Sequence, residues 1–383
     1  MKLKKDGPYQ ICTHCVMDTS DPDIEFNKDG VCNHCLKFEE LIKQHIPGSE
    51  ESLKKLSKLI ERIKKDGKGK EYDCIIGLSG GVDSSYVALL VNKFGLRPLA
   101  VHLDNGWNSE LAVENIENII KKLNIDLYTI VIDWEEFRDL QLAYLYASVI
   151  DIEAISDHAI IATMHKLAKK NKIKYIISGT NIATESILPE SWYYKHKTDY
   201  RNIKDIYKKH GSGRKLKTYP RITWFKMLYY NYFLNLTTIS ILNYIDYKKE
   251  NVIKLISEEL GWKSYGDKHH ESIITKFYQA YILPKKTGFD KRRAHLSNLI
   301  CSKQISREIA LNELTIPVYK SDLDLNNDIN YFKKKLEISN NEFDKIINTQ
   351  PKSHYEYKTN RVFRLWNQRF KQLIIILKRN FYK

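Results

Sequence analysis

Residues 72–85 read YDCIIGLSGGVDSS and contain the strongest structural signal in the chain. The short apolar run 72–78 predicts a buried parallel strand, and the segment 84–93 predicts a helix. Gly80 and Gly81 lie between them and let the backbone turn tightly with its N–H groups pointing inward. A glycine-rich turn between a strand and a helix predicts a cradle for pyrophosphate.

The polar side chains of the turn support this interpretation. Ser84 and Ser85 can cap the helix, whose N-terminus attracts anions. Asp83 supplies a carboxylate, which suits Mg²⁺ that arrives with the phosphates. The turn lacks the Gly-Lys-Ser/Thr ending of a Walker A loop, so it belongs to another class of phosphate loop. The alternative is a plain Gly-Ser turn that caps an ordinary helix.

The segments around the turn alternate between strand and helix patterns. Further strands are predicted at 97–103, 127–132 and 175–178, and helices at 49–65, 109–123, 135–149 and 156–171. This alternation predicts an α/β fold with a doubly wound parallel sheet and right-handed crossovers. Ligands of such sheets bind outside the carboxyl ends of the strands, where Asp104, Gly179 and Thr180 also fall.

The domain plan has three parts. Residues 1–48 form a cysteine module, 49–190 the sheet domain, and 191–383 a mostly helical C-terminal region. The apolar segment 222–245 is too interrupted by polar residues to span a membrane and is interpreted as one or two buried helices, with a membrane-surface role as the alternative. Apolar residues at 363–373 predict a packed terminal helix.

Two cysteine pairs define the N-terminal module. Cys12 and Cys15 form one C-x-x-C pair, Cys32 and Cys35 form the other, and residues 16–31 separate them. This spacing predicts a structural four-cysteine zinc site, because two tight turns that each present two thiolates complete a tetrahedron. An iron–sulfur cluster, or ligation by the histidines inside the pairs (His14 and His34), remains an alternative.

The composition sets limits on partners and location. Of 383 residues, 43% are hydrophobic and 28% charged, as in an ordinary globular protein. The N-terminus has no apolar core segment like that of a signal peptide, so a cytoplasmic location is expected. Lys and Arg outnumber Asp and Glu by 62 to 47, which gives a net charge of +15. This favours polyanionic partners, although a solvated lysine-rich surface explains the charge equally well.

The S-G-G-x-D-S-S sequence resembles the PP-loop ATP pyrophosphatase superfamily, whose members cleave ATP between its α and β phosphates and adenylate an oxygen. The resemblance implies the fold of adenine nucleotide α-hydrolases and ATP with Mg²⁺ as ligands. It assigns nucleotide contacts to the following residues: Ser79, Gly80, Gly81, Asp83, Ser84, Ser85, Asp104, Gly179 and Thr180.

A more specific resemblance extends from residue 10 to about residue 310. The sequences CTHCVMDT (12–19), CNHC (32–35), ISGTN (177–181) and YGDKHHES (265–272), together with the phosphate loop, are similar to the N-acetyl sugar amidotransferase family. The resemblance implies conversion of an acetamido group on a bacterial surface sugar to an acetamidino group. The sugar would be an O-antigen uronic acid or a nonulosonic acid, free or nucleotide-linked, and the acetamido oxygen would be adenylated and then displaced by ammonia.

The source of ammonia lies outside this chain. Position 2 is Lys2, not the cysteine of an N-terminal glutaminase, and neither Cys74 nor Cys301 lies on a nucleophile turn. As in the resembled family, a separate glutaminase subunit, with or without a cyclase-like companion, is therefore expected.

The other side of the active site is predicted in two basic segments. Lys268, His270 and Glu271 are candidate catalytic residues, with His270 and Glu271 in proton transfer from ammonia. Four cations would neutralise pyrophosphate or a sugar carboxylate: Lys285, Lys286, Arg292 and Arg293. A solvated charged helix face is the alternative for each of them.

Two rival functions remain. A tRNA-thiolating enzyme would also combine a PP-loop with a zinc module and would suit the positive charge, but it needs reactive cysteines, and only Cys74 and Cys301 lie outside the zinc module. A non-enzymatic zinc module that binds nucleic acid or a partner would leave Asp83 and the loop without a role. No nucleic-acid partner is therefore expected. No transmembrane segment is expected either.

Overall fold

The computed structural model describes residues 6–44, 46–265 and 271–361. At its centre is a five-stranded sheet with the strand order β3-β2-β1-β4-β5, and every neighbouring pair is parallel. The strands are β1 (Cys74–Gly77), β2 (Pro98–Asp104), β3 (Asp126–Val131), β4 (Tyr175–Ser178) and β5 (Thr237–Ser240).

Helices cover the sheet and build the rest of the molecule. In chain order they are α1 (Asn33–Gln44), α2 (Glu50–Gly67), α3 (Val82–Lys93), α4 (Glu110–Leu123), α5 (Trp134–Ala147), α6 (Ala154–Lys170), α7 (Ile182–Glu185), α8 (Tyr200–His210), α9 (Trp224–Tyr232), α10 (Lys249–Leu260), α11 (Ile273–Phe277), α12 (Leu283–Thr287), α13 (Lys291–Cys301), α14 (Arg307–Thr315), α15 (Asp322–Leu336) and α16 (Asn340–Asn348). A π-helical turn, Tyr278–Ile282, joins α11 to α12.

The predicted doubly wound parallel sheet is confirmed. β1 to β4 match the four predicted strands to within a few residues, since each is a short apolar run bounded by turn residues. Local caps explain where the intervening helices begin: Ser49 accepts a hydrogen bond from Ser52 N at α2, and Ser109 accepts one from Ala112 N at α4.

One part of the prediction is wrong. The segment 222–245 contains the helix α9 but also the edge strand β5, which pairs with β4 from Tyr175↔Thr237 to Ser178↔Ser240. β5 reads TTIS, and only Ile239 is buried, so it lacks the apolar run by which β1 and β4, strands of the same length, were predicted. The sheet therefore continues beyond the range 49–190 assigned to it from the sequence.

The N-terminal module packs on the C-terminal helices rather than standing apart. The four cysteines belong to the same buried cluster as residues of α13 and α14, among them Ala294 and Ala310. Val16 N donates to Ser297 Oγ at 3.2 Å, and Arg293 forms an ion pair with Asp18 at 2.9 Å. The N-terminal module thus shares one hydrophobic core with α13 and α14.

Within the described part of the chain, no helix has the length and apolar content needed to cross a membrane. The predicted terminal helix at 363–373 lies outside the described residues.

Candidate active site

The turn after β1 is shaped by close packing against its neighbours. Gly80 has φ of +80°, and a Cβ atom there would lie 2.5 Å from the carbonyl oxygen of Ala112. Trp262 Nε1 donates to the carbonyl oxygen of Gly80 at 2.8 Å. Only glycine can adopt this left-handed backbone and leave room for the close contact with α4, which explains the glycine at position 80.

The serine side chains of the loop form hydrogen bonds within the loop itself. Ser79 Oγ and Ser84 Oγ lie 3.1 Å apart, and Gly81 N donates to Ser79 Oγ at 3.2 Å. Ser85 is buried and donates to the carbonyl oxygen of Gly81 at 2.7 Å. The expected capping by Ser84 and Ser85 is therefore wrong in detail: Gly81 is the N-cap residue of α3, and no side chain caps the helix there. The hydroxyls instead fix the turn that precedes the helix.

Asp83 is held on the first turn of α3. The phenol of Tyr247 donates to Asp83 Oδ1 at 2.5 Å. Burial, reinforced by the negative charge of Asp83, raises the pKa of Tyr247, so the phenol stays protonated and keeps donating. A Cβ atom on Gly179 would lie 3.2 Å from Asp83 Cβ, so the turn after β4 packs directly against the loop.

The end of β2 presents amides to the site. Asp104 Oδ1 accepts a hydrogen bond from Gly106 N at 2.9 Å and so shapes the turn, whereas Asn105 and Asn108 line the adjacent cavity. Asn108 Nδ2 lies 3.1 Å from His102 Nε2, and His102 Nδ1 lies 2.9 Å from the carbonyl oxygen of Leu78. Because that carbonyl only accepts, Nδ1 carries the proton, and burial lowers the pKa of His102. A neutral imidazole therefore accepts from the Asn108 amide.

These turns open into one cavity of about 500 Å³. Residues of the phosphate loop, of the ends of β2 and β4, and of α6 line it. The C-terminal region contributes Glu271, Ser272, Ile274, Thr275, His295 and Leu299 to the same lining. Five carboxylate residues line the cavity: Asp83, Glu153, Asp157, Glu185 and Glu271. The cavity therefore joins a nucleotide-type loop to side chains more than 180 residues further along the chain.

The predicted residue Glu271 lies beside the loop. A Cβ atom on Gly81 would lie 3.2 Å from Tyr265 Oη and 3.5 Å from Glu271 Oε1. Burial and the charge of Glu271 raise the pKa of Tyr265, which also hydrogen-bonds Glu271. The other two predicted catalytic residues, Lys268 and His270, lie outside the described residues.

The four predicted cations of the C-terminal region are not among the residues that line the cavity. Lys286 Nζ donates to the carbonyl oxygen of Thr349 at 2.8 Å, and Lys285 is exposed beside Tyr281. Arg292 pairs with Asp290 and donates to the carbonyl oxygen of Ile316, and Arg293 pairs with Asp18. Lys286, Arg292 and Arg293 therefore have partners elsewhere in the fold, whereas Lys285 contacts its near neighbour Tyr281.

Several cavity residues were missed from the sequence. Tyr247 and Lys249 lie just after β5, so they were missed together with that strand. Asn108 follows Asp104 and Asn105, and the rule that selected the carboxyl end of β2 would have selected it too. Glu153, Asp157 and His295 lie on helices, where no local pattern distinguishes a cavity residue from a solvated one.

The cysteine module fits the predicted zinc site. The sulfur atoms of Cys15 and Cys32, and of Cys32 and Cys35, lie 3.7 Å apart, and those of Cys12 and Cys35 lie 3.9 Å apart. A tetrahedron with zinc–sulfur bonds of about 2.3 Å has edges of about 3.8 Å. All four thiols are buried, and Cys32 N donates to Cys12 Sγ at 3.2 Å. His34 is bound to Asp21 at 2.6 Å, which leaves the four cysteines as the ligand set.

Comparison with known proteins assigns two parts of the chain. Residues 53–220 match the family described as NAD synthase, and residues 271–372 match the family described as "LPS biosynthesis protein WbpG-like, C-terminal domain". The chain therefore combines a PP-loop domain of NAD synthase type with a WbpG-like C-terminal domain. This combination confirms the resemblance drawn from the motifs and is consistent with an N-acetyl sugar amidotransferase family.

Curated relatives match only part of this chain. A GMP synthase (glutamine-hydrolyzing) of Thermosipho africanus is 36% identical over 28% of this chain and 21% of its own length. One subunit of the glutamine-hydrolyzing GMP synthase of Methanococcus vannielii is 34% identical over 36% of this chain and 43% of its own length. An uncharacterized protein of Methanocaldococcus jannaschii is 34% identical over 33% of this chain and 45% of its own length. The chain thus spans less than half of each of these relatives.

Among solved structures, similarity is found to an NH3-dependent NAD synthetase from Campylobacter jejuni, which covers 35% of this chain and 59% of that chain at 17% identity with a TM-score of 0.28. An NMN synthetase from Francisella tularensis covers 54% of this chain and 87% of that chain, also at 17% identity and a TM-score of 0.28. At such low TM-scores these similarities add nothing to the fold assignment, which rests on the sheet itself.

Proposed function

We propose that the protein uses ATP and ammonia to convert an acetamido group of a bacterial surface sugar to an acetamidino group. The observation that supports this most strongly is the shared cavity, which is lined both by the phosphate loop and by Glu271, Thr275 and His295 of the WbpG-like region. A nucleotide at the loop and a sugar against the C-terminal helices would meet in this space.

The loop end would bind ATP. Backbone N–H groups of the turn and the N-terminus of α3 suit the β and γ phosphates, and Lys249 is a cation on the same cavity wall. Asp83, held by Tyr247, would bind the Mg²⁺ that accompanies ATP, and that ion would neutralise charge on the leaving pyrophosphate. The acetamido oxygen would attack the α phosphorus, so that pyrophosphate leaves and an imidoyl adenylate forms.

The second step would replace AMP by ammonia. Ammonia attacks the imidoyl carbon, the carbon–oxygen bond to AMP breaks, and the attacking nitrogen loses a proton. Glu271 is the candidate acceptor for that proton, because its carboxylate lies beside the loop and hydrogen-bonds the protonated phenol of Tyr265. The cavity would hold the reactants close together and limit the access of water to them.

Ammonia would come from a separate glutaminase subunit. The matched GMP synthases are described as glutamine-hydrolyzing, and the match covers 21% and 43% of their lengths. Cys74 lies buried in β1, where burial raises the pKa of its thiol, so it is poorly suited to act as a glutaminase nucleophile. The same burial speaks against tRNA thiolation through this cysteine.

The test is release of AMP and pyrophosphate by the purified chain with ATP, Mg²⁺ and ammonium chloride. Acetamido sugars, free and nucleotide-linked, are supplied one at a time, with total tRNA in parallel. Sugar-dependent AMP release, together with a product in which NH replaces the acetamido oxygen, is the expected result. AMP release that depends on tRNA alone would replace the proposal with the thiolation function.

A further inference from the structure

A fifth cysteine lies against the zinc module. Cys301 is the last residue of α13, and its Sγ is 3.7 Å from Cys35 Sγ, the same separation as between neighbouring thiols of the four-cysteine set. The side chain of His14 completes a second group. The ligand atoms of His14, Cys35 and Cys301 all lie within 4.8 Å of one another.

We propose that this group binds a second zinc-type ion next to the structural one. Cys35 would bridge the two ions, Cys301 and His14 would bind only the second, and water would fill its fourth position. Thiolate and imidazole are the ligands that zinc and other soft divalent ions prefer, and the sulfur separation of 3.7 Å fits the edge of a tetrahedral site.

Charge favours the second ion. Four thiolates around one divalent ion carry a net charge of about −2. The nearby cation Arg307 binds the carbonyl oxygens of Cys12 and Cys15, not their sulfur atoms. A second divalent ion that shares Cys35 would offset the remaining negative charge where it is concentrated.

The two sites differ in exposure. The four module cysteines are buried, whereas Cys301 is partly buried and His14 is exposed. The second ion can therefore enter and leave without opening the module, and it is expected to bind more weakly than the first. It would also connect the module to α13, the helix on which His295 lines the cavity.

The test is the metal content of the full chain, reduced and titrated anaerobically with Zn²⁺ and, separately, with Cd²⁺. Mass spectrometry under native conditions counts the ions, and the thiolate–cadmium absorption band reports the sulfur ligands. The wild type is expected to bind two ions per chain, the second removable by a mild chelator. Cys301→Ser and His14→Gln are expected to keep the first ion and lose the second.

Cys74→Ala provides the matched control, because Cys74 is buried in β1 away from the module and its loss should leave both ions in place. Retention of the first ion in each variant shows that the module still folds. Saturation of the wild type at one ion, with Cys301→Ser indistinguishable from it, would overturn the proposal. So would a second ion that remains after both the Cys301 and His14 substitutions.

Discussion

The phosphate loop and the N-terminal module are held in different ways. The loop region, β1 through α3, combines hydrogen bonds within the motif, as from Ser84 and Ser85 to the carbonyl oxygen of Gly81, with contacts from Trp262 and Tyr247. The docked module, residues 6–44 on α13 and α14, depends on contacts such as Val16 N to Ser297 Oγ that join opposite ends of the chain.

The two regions show that a basic segment near a recognisable motif does not always contribute to the candidate site. In the loop region, Asp83 was selected as a candidate by its local motif, and it lines the cavity. In the docked module, the basic segment around Arg293 has the composition of an anion-binding site, yet Arg293 pairs with the buried Asp18. We therefore expect substitutions in the two regions to affect different quantities, catalysis in one and stability in the other.

The largest effect should follow from loss of the metal predicted at the four cysteines. Removing it with a strong chelator, or replacing Cys12 by Ser, should destabilise the docked module by about 10 kcal/mol, as for other structural zinc sites. Hydrogen exchange should rise first in α13 and α14, because they share a core with the cysteines. Equal and simultaneous exchange in β1 and α3 would show that the two regions are not separable.

Arg293→Met should lower the free energy of unfolding by about 3–5 kcal/mol, since it leaves the carboxylate of Asp18 buried without its ion pair. Denaturant unfolding measures the change. Lys285→Met is the matched control, because Lys285 is exposed, and it should change stability by less than about 0.5 kcal/mol. A raised KM for the sugar with unchanged stability would instead support the substrate contact expected from the sequence.

Asp83→Asn should lower sugar-dependent AMP release by a factor of about 10²–10³ without a comparable loss of stability, because it removes the carboxylate proposed to bind the Mg²⁺ that neutralises the reacting phosphates. Tyr247→Phe, which removes only the hydrogen bond to Asp83, should cost about 10-fold. Glu259→Gln, an exposed carboxylate paired with Lys93, is the control. Normal turnover in Asp83→Asn would remove this residue from the proposed site.

The smallest effect concerns acid stability. Burial lowers the pKa of His354 to about 4, and the imidazole binds Asn202 in its neutral form. Between about pH 6.5 and 4 the unfolded chain binds more protons at this residue than the folded one, so stability falls as the pH falls, by up to about 3 kcal/mol. His354→Asn should flatten the pH dependence of urea unfolding in this window. An unchanged slope would show that other titrating groups cause the pH dependence.

The sequence predicted what depends on near neighbours. The strands β1 to β4, the loop and the two cysteine pairs all have local signatures, and they lie where those signatures indicate. β5 was missed because its sequence TTIS is mostly polar and exposed, unlike the apolar runs of β1 and β4, and Tyr247 and Lys249 were missed with it. Glu153 and His295 reach the cavity only through tertiary packing, which no local pattern records.

The proposed chemistry is tested most directly by following the acetamido oxygen. An acetamido sugar labelled with heavy oxygen in its carbonyl is incubated with the protein, ATP, Mg²⁺ and ammonium chloride, and the AMP formed is analysed by mass spectrometry. Attack on the α phosphorus transfers the label to AMP in step with formation of the acetamidino product, and this is the predicted result. Unlabelled AMP, or label that appears in inorganic phosphate, would contradict adenylation of the sugar by this protein.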